Sequence, residues 1–136
     1  MSTKEQLDLL KIIRDLKNVS SYLTEVIERE PTVDNKELTI HRFEMCFELS
    51  WKLMYRFCRL QGRELANSPR DAIRIAAQIN LIDDPSTWLD YVEHRNRTTH
   101  TYNEEVADQV YEAAREFPFL VRGLLKSAEK TLRLSV

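Results

Sequence analysis

Two glycines and four prolines in 136 residues are too few turn formers for an all-β fold, and they leave no glycine-rich loop to cradle a nucleotide. Cysteine is equally scarce. Cys46 and Cys58 fall in one segment of helical character, where twelve residues of helix would hold them roughly 18 Å apart, too far for a disulfide. They are expected to be core thiols of a cytosolic protein. No run approaches the roughly 20 apolar residues of a membrane span, and the opening MSTKEQLDLLKII lacks the apolar core of a signal peptide. A soluble, cytoplasmic protein that meets no membrane is therefore expected. The net charge of -2 gives no global attraction to nucleic acid, so any polyanion must be met by a local patch. No repeat, linker or metal-ligand cluster stands out, and neither metal nor cofactor is expected.

What the chain does contain is helical periodicity. Leu9, Ile13, Leu16, Leu23 and Ile27 predict a first helix from Thr3 to about Glu30, ended by Pro31. Capping residues around Asp34 and Asn35 introduce a second, in which Ile40, Phe43, Phe47, Met54 and Phe57 form a stripe ending near Gly62. Ser68-Pro69 and Asp84-Pro85 each place proline just after a capping residue, predicting two short helices that together make one arm. The last helix carries Val106, Val110, Ala113, Phe117, Leu120, Leu124 and Ala128, with Pro118 expected to kink it near its middle. Thr101 and Glu104 have capping-box spacing at its start. Residues 1–136 are thus expected to form one all-α domain, an antiparallel four-helix bundle with an additional short helix.

Between the last two helices lies Arg95-Asn96-Arg97-Thr98-Thr99-His100-Thr101-Tyr102. On one straight helix, Arg95 and His100 would point roughly 140° apart. The β-branched Thr98 and Thr99 instead predict a helix end, with His100 on a short connection and Tyr102 in the first turn of the final helix. Unpaired N–H groups there would favour an anion, and Arg95 and Arg97 would add charge. Histidine exchanges protons near neutral pH. Together these residues suit phosphodiester cleavage through a ribose 2′-hydroxyl without metal, which needs one group to take a proton and another to give one. One chain supplies a single plausible histidine, so a symmetric dimer pairing two such corners is part of the expected chemistry. By itself the Arg-x4-His spacing is weak, because three histidines and thirteen arginines would produce it by chance about 0.3 times.

Context strengthens it. Arg95-x4-His100-x-Tyr102, with polar Asn96 after the arginine, resembles the RxxxxHxY signature of the HEPN superfamily. HRFEMCFELSWKLMYRF and SPRDAIRIA are similar to the HepT-like branch of nucleotidyltransferase substrate-binding proteins, and the resemblance covers nearly the whole chain. It implies a homodimeric helical bundle working with a separately encoded minimal nucleotidyltransferase, often as a toxin and antitoxin pair. Arg95 and His100 would then be the catalytic pair of an endoribonuclease, assisted by Asn96, and Tyr102 the residue the partner modifies with AMP. Arg97 and Thr101 would hold RNA phosphate. The same resemblance also implies a second role, as a non-catalytic subunit that binds the partner's substrate. The chain lacks the Gly-Ser and paired-Asp signature of a nucleotidyltransferase, so it does not perform the transfer alone.

Each residue has a plainer reading beside this one. Arg95 could pair with a carboxylate at a helix end, His100 could fill a turn, and Tyr102 could pack its ring under the last helix. Glu44 and Glu48, one turn apart near Arg42 and Lys52, read as a salt-bridged face or as carboxylates that cross the bundle to orient Arg95. Phe47, Trp51 and Trp88 read as core or dimer-interface residues before base-stacking platforms. His41 and His94 read as surface or interhelical residues, with His94 close enough to tune Arg95.

Overall fold

The structure, a computed structural model, describes residues 1–135, and side chains of residues 1–133. Helices α1 (Thr3–Ile27), α2 (Val33–Leu60), α3 (Pro69–Gln78), α4 (Pro85–Arg97) and α5 (Glu104–Ser135) follow in order, with one 3-10 turn, Thr98–His100, between α4 and α5. Among the described residues there is no strand.

Side-chain pairs fix the helix directions. Asp8 meets Arg56 and Glu25 meets Arg42, so α1 and α2 run antiparallel. Trp88 packs edge-on against Phe117 while the Tyr91 hydroxyl donates to the Ala113 carbonyl, so α4 and α5 also oppose. Lys36 with Asp108 and Phe43 with Phe117 make α2 and α5 parallel. α2 and α5 are therefore diagonal partners in an up-down-up-down bundle, and α3 with α4 forms one bent arm.

The expected apolar stripes are buried: Leu9, Ile13, Leu16 and Leu23 in α1, and Ile40, Phe43, Phe47, Met54 and Phe57 in α2. Along α5 the buried face includes Ala114, Val121 and Leu125, while Ala113 and Leu120 are only half-buried. α5 continues through Pro118, whose missing N–H removes one helical bond. In the middle of the bundle Phe117 is fully buried, with ring centroids of Tyr91, Phe43 and Trp88 at 4.8, 5.1 and 5.5 Å. Cys46 and Cys58 are buried and unbridged, and burial pushes their thiols up to about 12 and about 11.

Helix starts follow local chemistry, with two corrections. Ser68 and Asp84 cap α3 and α4 as the proline pairs predict, accepting from the backbone N–H of Asp71 and Thr87. α2, however, is capped by Thr32, whose extended backbone after Pro31 lets its hydroxyl accept from Asn35 N, so Asp34 falls inside the first turn. α5 is capped by Asn103, whose Oδ1 accepts from Glu105 N at 3.0 Å and Val106 N at 3.3 Å. Thr101 cannot do this, because its backbone is helical (φ -74, ψ -3) and its hydroxyl donates to the Thr98 carbonyl. The Thr101–Glu104 capping box therefore does not form. α1 also ends earlier than expected, at Ile27 with Glu28 as its cap.

Candidate functional site

α4 stops at Arg97 because Thr98, buried, turns its hydroxyl back onto the helix. That hydroxyl donates to the Arg95 carbonyl at 2.7 Å and accepts from Arg95 Nη1 at 3.0 Å. Arg95 consequently lies against α2 instead of extending into solvent. Its Nη1 is 3.8 Å from Glu44 Oε2 and its Nε 3.6 Å from Glu48 Oε1. These are ion-pair distances, and Nε itself makes no hydrogen bond. Glu48 is held in turn by Trp51, whose indole N–H donates to its other oxygen at 3.2 Å. The arginine side chain keeps 29% of its surface exposed. It is thus braced on one side and open on the other.

The 3-10 turn carries the chain around the corner. His100 and Tyr102, both exposed, come together with His100 Nδ1 3.3 Å from the Tyr102 hydroxyl and ring centroids 5.9 Å apart. Neighbours two apart do not face each other on an α-helix, so this contact depends on the turn. Tyr102 sits in the turn ahead of α5 and not in its first helical turn. The first N–H groups of α5 are taken by Asn103, and Glu104 and Glu105 crowd the same end, which removes the anion site expected there. Asn96 is exposed and its carbonyl accepts from the Thr99 hydroxyl. Arg97 reaches across to donate to Gln109 on α5. The structure therefore gathers Arg95 with Glu44 and Glu48, and His100 with Tyr102, while among the described residues no hydrogen bond or ion pair joins Arg95 to His100.

Charge of two signs meets at this corner. The last turn of α4 is basic, with His94, Arg95 and Arg97. On the far side of Tyr102 a cleft of about 680 Å³ runs between α2 and α5, lined by Glu37, His41, Glu44, Glu104 and Asp108 among others. Beneath the basic turn, His94 packs edge-on against Tyr91 and its Nδ1 is buried without a partner. Burial, and then the Arg97 charge, holds its pKa below the ordinary histidine value. Among the described residues no three His, Cys, Asp or Glu side chains converge as a metal site would require, and no helix is long and apolar enough to cross a membrane.

Sequence reasoning missed the roles of Thr98, Trp51 and Asn103. Thr98 was legible as a helix end but not as the partner of Arg95, and Trp51 read only as a core or interface residue; each bonds three positions away on its own segment, to Arg95 and to Glu48. Asn103 was legible in principle as a capping residue immediately before two glutamates.

Residues 11–130 match the family model for nucleotidyltransferase substrate binding protein like sequences. A Haemophilus influenzae protein described as a probable ribonuclease HepT is 38% identical over 84 residues, 57% of this chain and 56% of that relative, so the match spans little more than half of either. The crystal structure of a Thermus thermophilus protein superposes with a TM-score of 0.71 at 30% identity, covering 87% of this chain and 98% of the other. A second structure, from H. influenzae and described as revealing the fold of a substrate binding domain of a nucleotidyltransferase, gives 0.65 at 25% identity, covering 91% and 98%.

Proposed function

The chain belongs to the nucleotidyltransferase substrate-binding-like family, and on that premise we propose that it is the HEPN-type half of a two-component toxin-antitoxin system. In this reading the protein is a homodimeric, metal-independent endoribonuclease of the cytoplasm. Arg95 and His100 from two facing corners form its composite site, Asn96 assists, and Arg97 and Thr101 contact RNA phosphate. A separately encoded minimal nucleotidyltransferase neutralises it by adding AMP to Tyr102. The observation that carries the proposal is the braced arginine. Glu44 and Glu48 hold Nη1 and Nε on the α2 side, and among the described residues Nη2 makes no hydrogen bond, leaving it for a phosphate oxygen. An arginine that only closed a helix would not need two carboxylates and a buried threonine.

His100, exposed at the corner, is the group to exchange protons with the ribose 2′-hydroxyl and the leaving oxygen. The likeness to a relative described as a ribonuclease supports this. The family's own description favours the second reading, a non-catalytic subunit that holds the nucleotidyltransferase's substrate. Incubating RNA with purified protein in EDTA separates them. We expect cleavage by the wild type and a loss of about 10²-fold or more in His100→Ala. Intact RNA with the wild type would leave the binding role, and equal cleavage by the variant would overturn the site.

A further inference from the structure

Tyr102 stands apart from the other tyrosines in a way that its exposure alone does not explain. Of the five, Tyr91 and Tyr111 are buried and Tyr55 is half-buried. Tyr22 is 57% exposed and lies under the Arg42 guanidinium, whereas Tyr102 is 85% exposed. Among the described residues Tyr102 alone has a titratable side chain on its hydroxyl, His100 Nδ1 at 3.3 Å. The contact is held by backbone: Asn103 N donates to the His100 carbonyl at 3.0 Å while the Asn103 side chain fixes the start of α5. A base two residues from its acid is thus set in place before any partner arrives.

We infer that His100 is the general base that deprotonates Tyr102 when this hydroxyl accepts a nucleotidyl group, so that one histidine serves both RNA cleavage and its own silencing. The inference rests on the reading of Tyr102 as the AMP acceptor. A phenol ionises near pH 10, so at neutral pH only about one in 10³ is the nucleophilic phenolate. A base able to take the proton as the bond forms removes that handicap. A separation of 3.3 Å is within the looser range of sites without substrate.

The step balances with a nucleoside triphosphate as co-reactant. Tyr102 Oη attacks the α-phosphorus, the new O–P bond forms, and the bond to the β-phosphate oxygen breaks. Pyrophosphate leaves with that electron pair, and the phenol proton passes to His100 Nδ1 and then to solvent. Around the cleft that Tyr102 lines, α2 presents Lys36, Glu37, His41 and Glu44, and α5 presents Glu104 and Asp108. This excess of carboxylates turns a triphosphate away from the cleft and towards the side that carries Arg97. After transfer the tyrosine oxygen has no proton to share, and a phosphodiester stands beside His100.

Two arms test this on the full chain. In the first, N-acetylimidazole acylates exposed tyrosines between pH 5 and 9, and peptide mass spectrometry reads Tyr102 against Tyr22. We expect Tyr102 to react faster with an acid limb, and His100→Ala to slow it about tenfold and erase that limb. His100→Gln retains a hydrogen-bond acceptor but no base and should be as slow, while His41→Asn should keep the limb. Rescue by the glutamine, or loss of the limb with His41→Asn, would overturn the assignment. In the second arm a partner nucleotidyltransferase with magnesium and ATP labels Tyr102, and His100→Ala should slow labelling by about 10²-fold. Equal labelling would overturn the inference alone. A wild-type Tyr102 that accepts no AMP would overturn the reading of the acceptor, and the acylation arm would still report whether His100 acts as its base.

Discussion

At the scale of single residues, the candidate site centres on an arginine that Glu44, Glu48 and Thr98 hold while part of its side chain stays open. Glu48→Gln removes the charge facing Nε but keeps the shape and the Trp51 partner oxygen. Because the pair is partly exposed, we expect stability to change by less than about 1 kcal/mol. RNA cleavage should fall about tenfold as the guanidinium loses its orientation. Urea melts and cleavage rates on the same preparation check the split; a proportional loss of both would make Glu48 merely structural. His94 gives a pH prediction. Its folded pKa is lowered by burial and by Arg97, so the unfolded chain binds the proton first as pH falls. The linkage sign is then positive: stability contributed by neutral His94 is present above the unfolded value of about 6.5 and is lost below it. His94→Asn should flatten that part of the acid limb in thermal melts between pH 5 and 7, and parallel curves would refute it. The Glu44 and Glu48 bracing was one of two readings the sequence allowed. It could not be chosen there, because roughly half a turn of rotation in α2 decides whether those carboxylates meet Arg95 or solvent.

At the scale of elements, local signals read well where the backbone left one option. Proline at the first helical position marked α3 and α4 correctly, since proline's fixed φ leaves little else for that residue to do. The start of α5 was misread because Thr98, Thr99, Thr101 and Asn103 all have capping side chains, and only the 3-10 turn decides which backbone is extended. Paired substitutions test the outcome: Asn103→Ala should cost about 1 kcal/mol, while Thr101→Ala should cost under about 0.5. A reversal, measured by denaturant unfolding, would restore the Thr101 cap. In the middle of the bundle, Phe117→Ala should cost about 3–5 kcal/mol, since it opens a cavity at the meeting point of α2, α4 and α5. A cost near 1 kcal/mol would mean that the aromatic cluster does not hold α4 onto α2 and α5.

At the scale of the molecule, the bundle and its family were legible because long apolar stripes and a whole-chain resemblance report on many residues at once. The meeting of His100 with Tyr102 was not legible, since residues two apart touch only when a turn intervenes, and that turn was visible only as two β-branched threonines. The same arrangement puts a basic helix end and an acidic cleft close to Tyr102. A single corner offers one histidine, so the proposed cleavage requires two chains. The most direct measurement is the initial rate of RNA cleavage in EDTA as the protein is diluted through its dimer dissociation range, followed alongside its mass by light scattering. The rate should fall with the square of concentration as dimers separate, and His100→Ala should be inactive throughout. Cleavage that remains proportional to total protein where only monomer is present, or RNA left intact by the dimer, would contradict it.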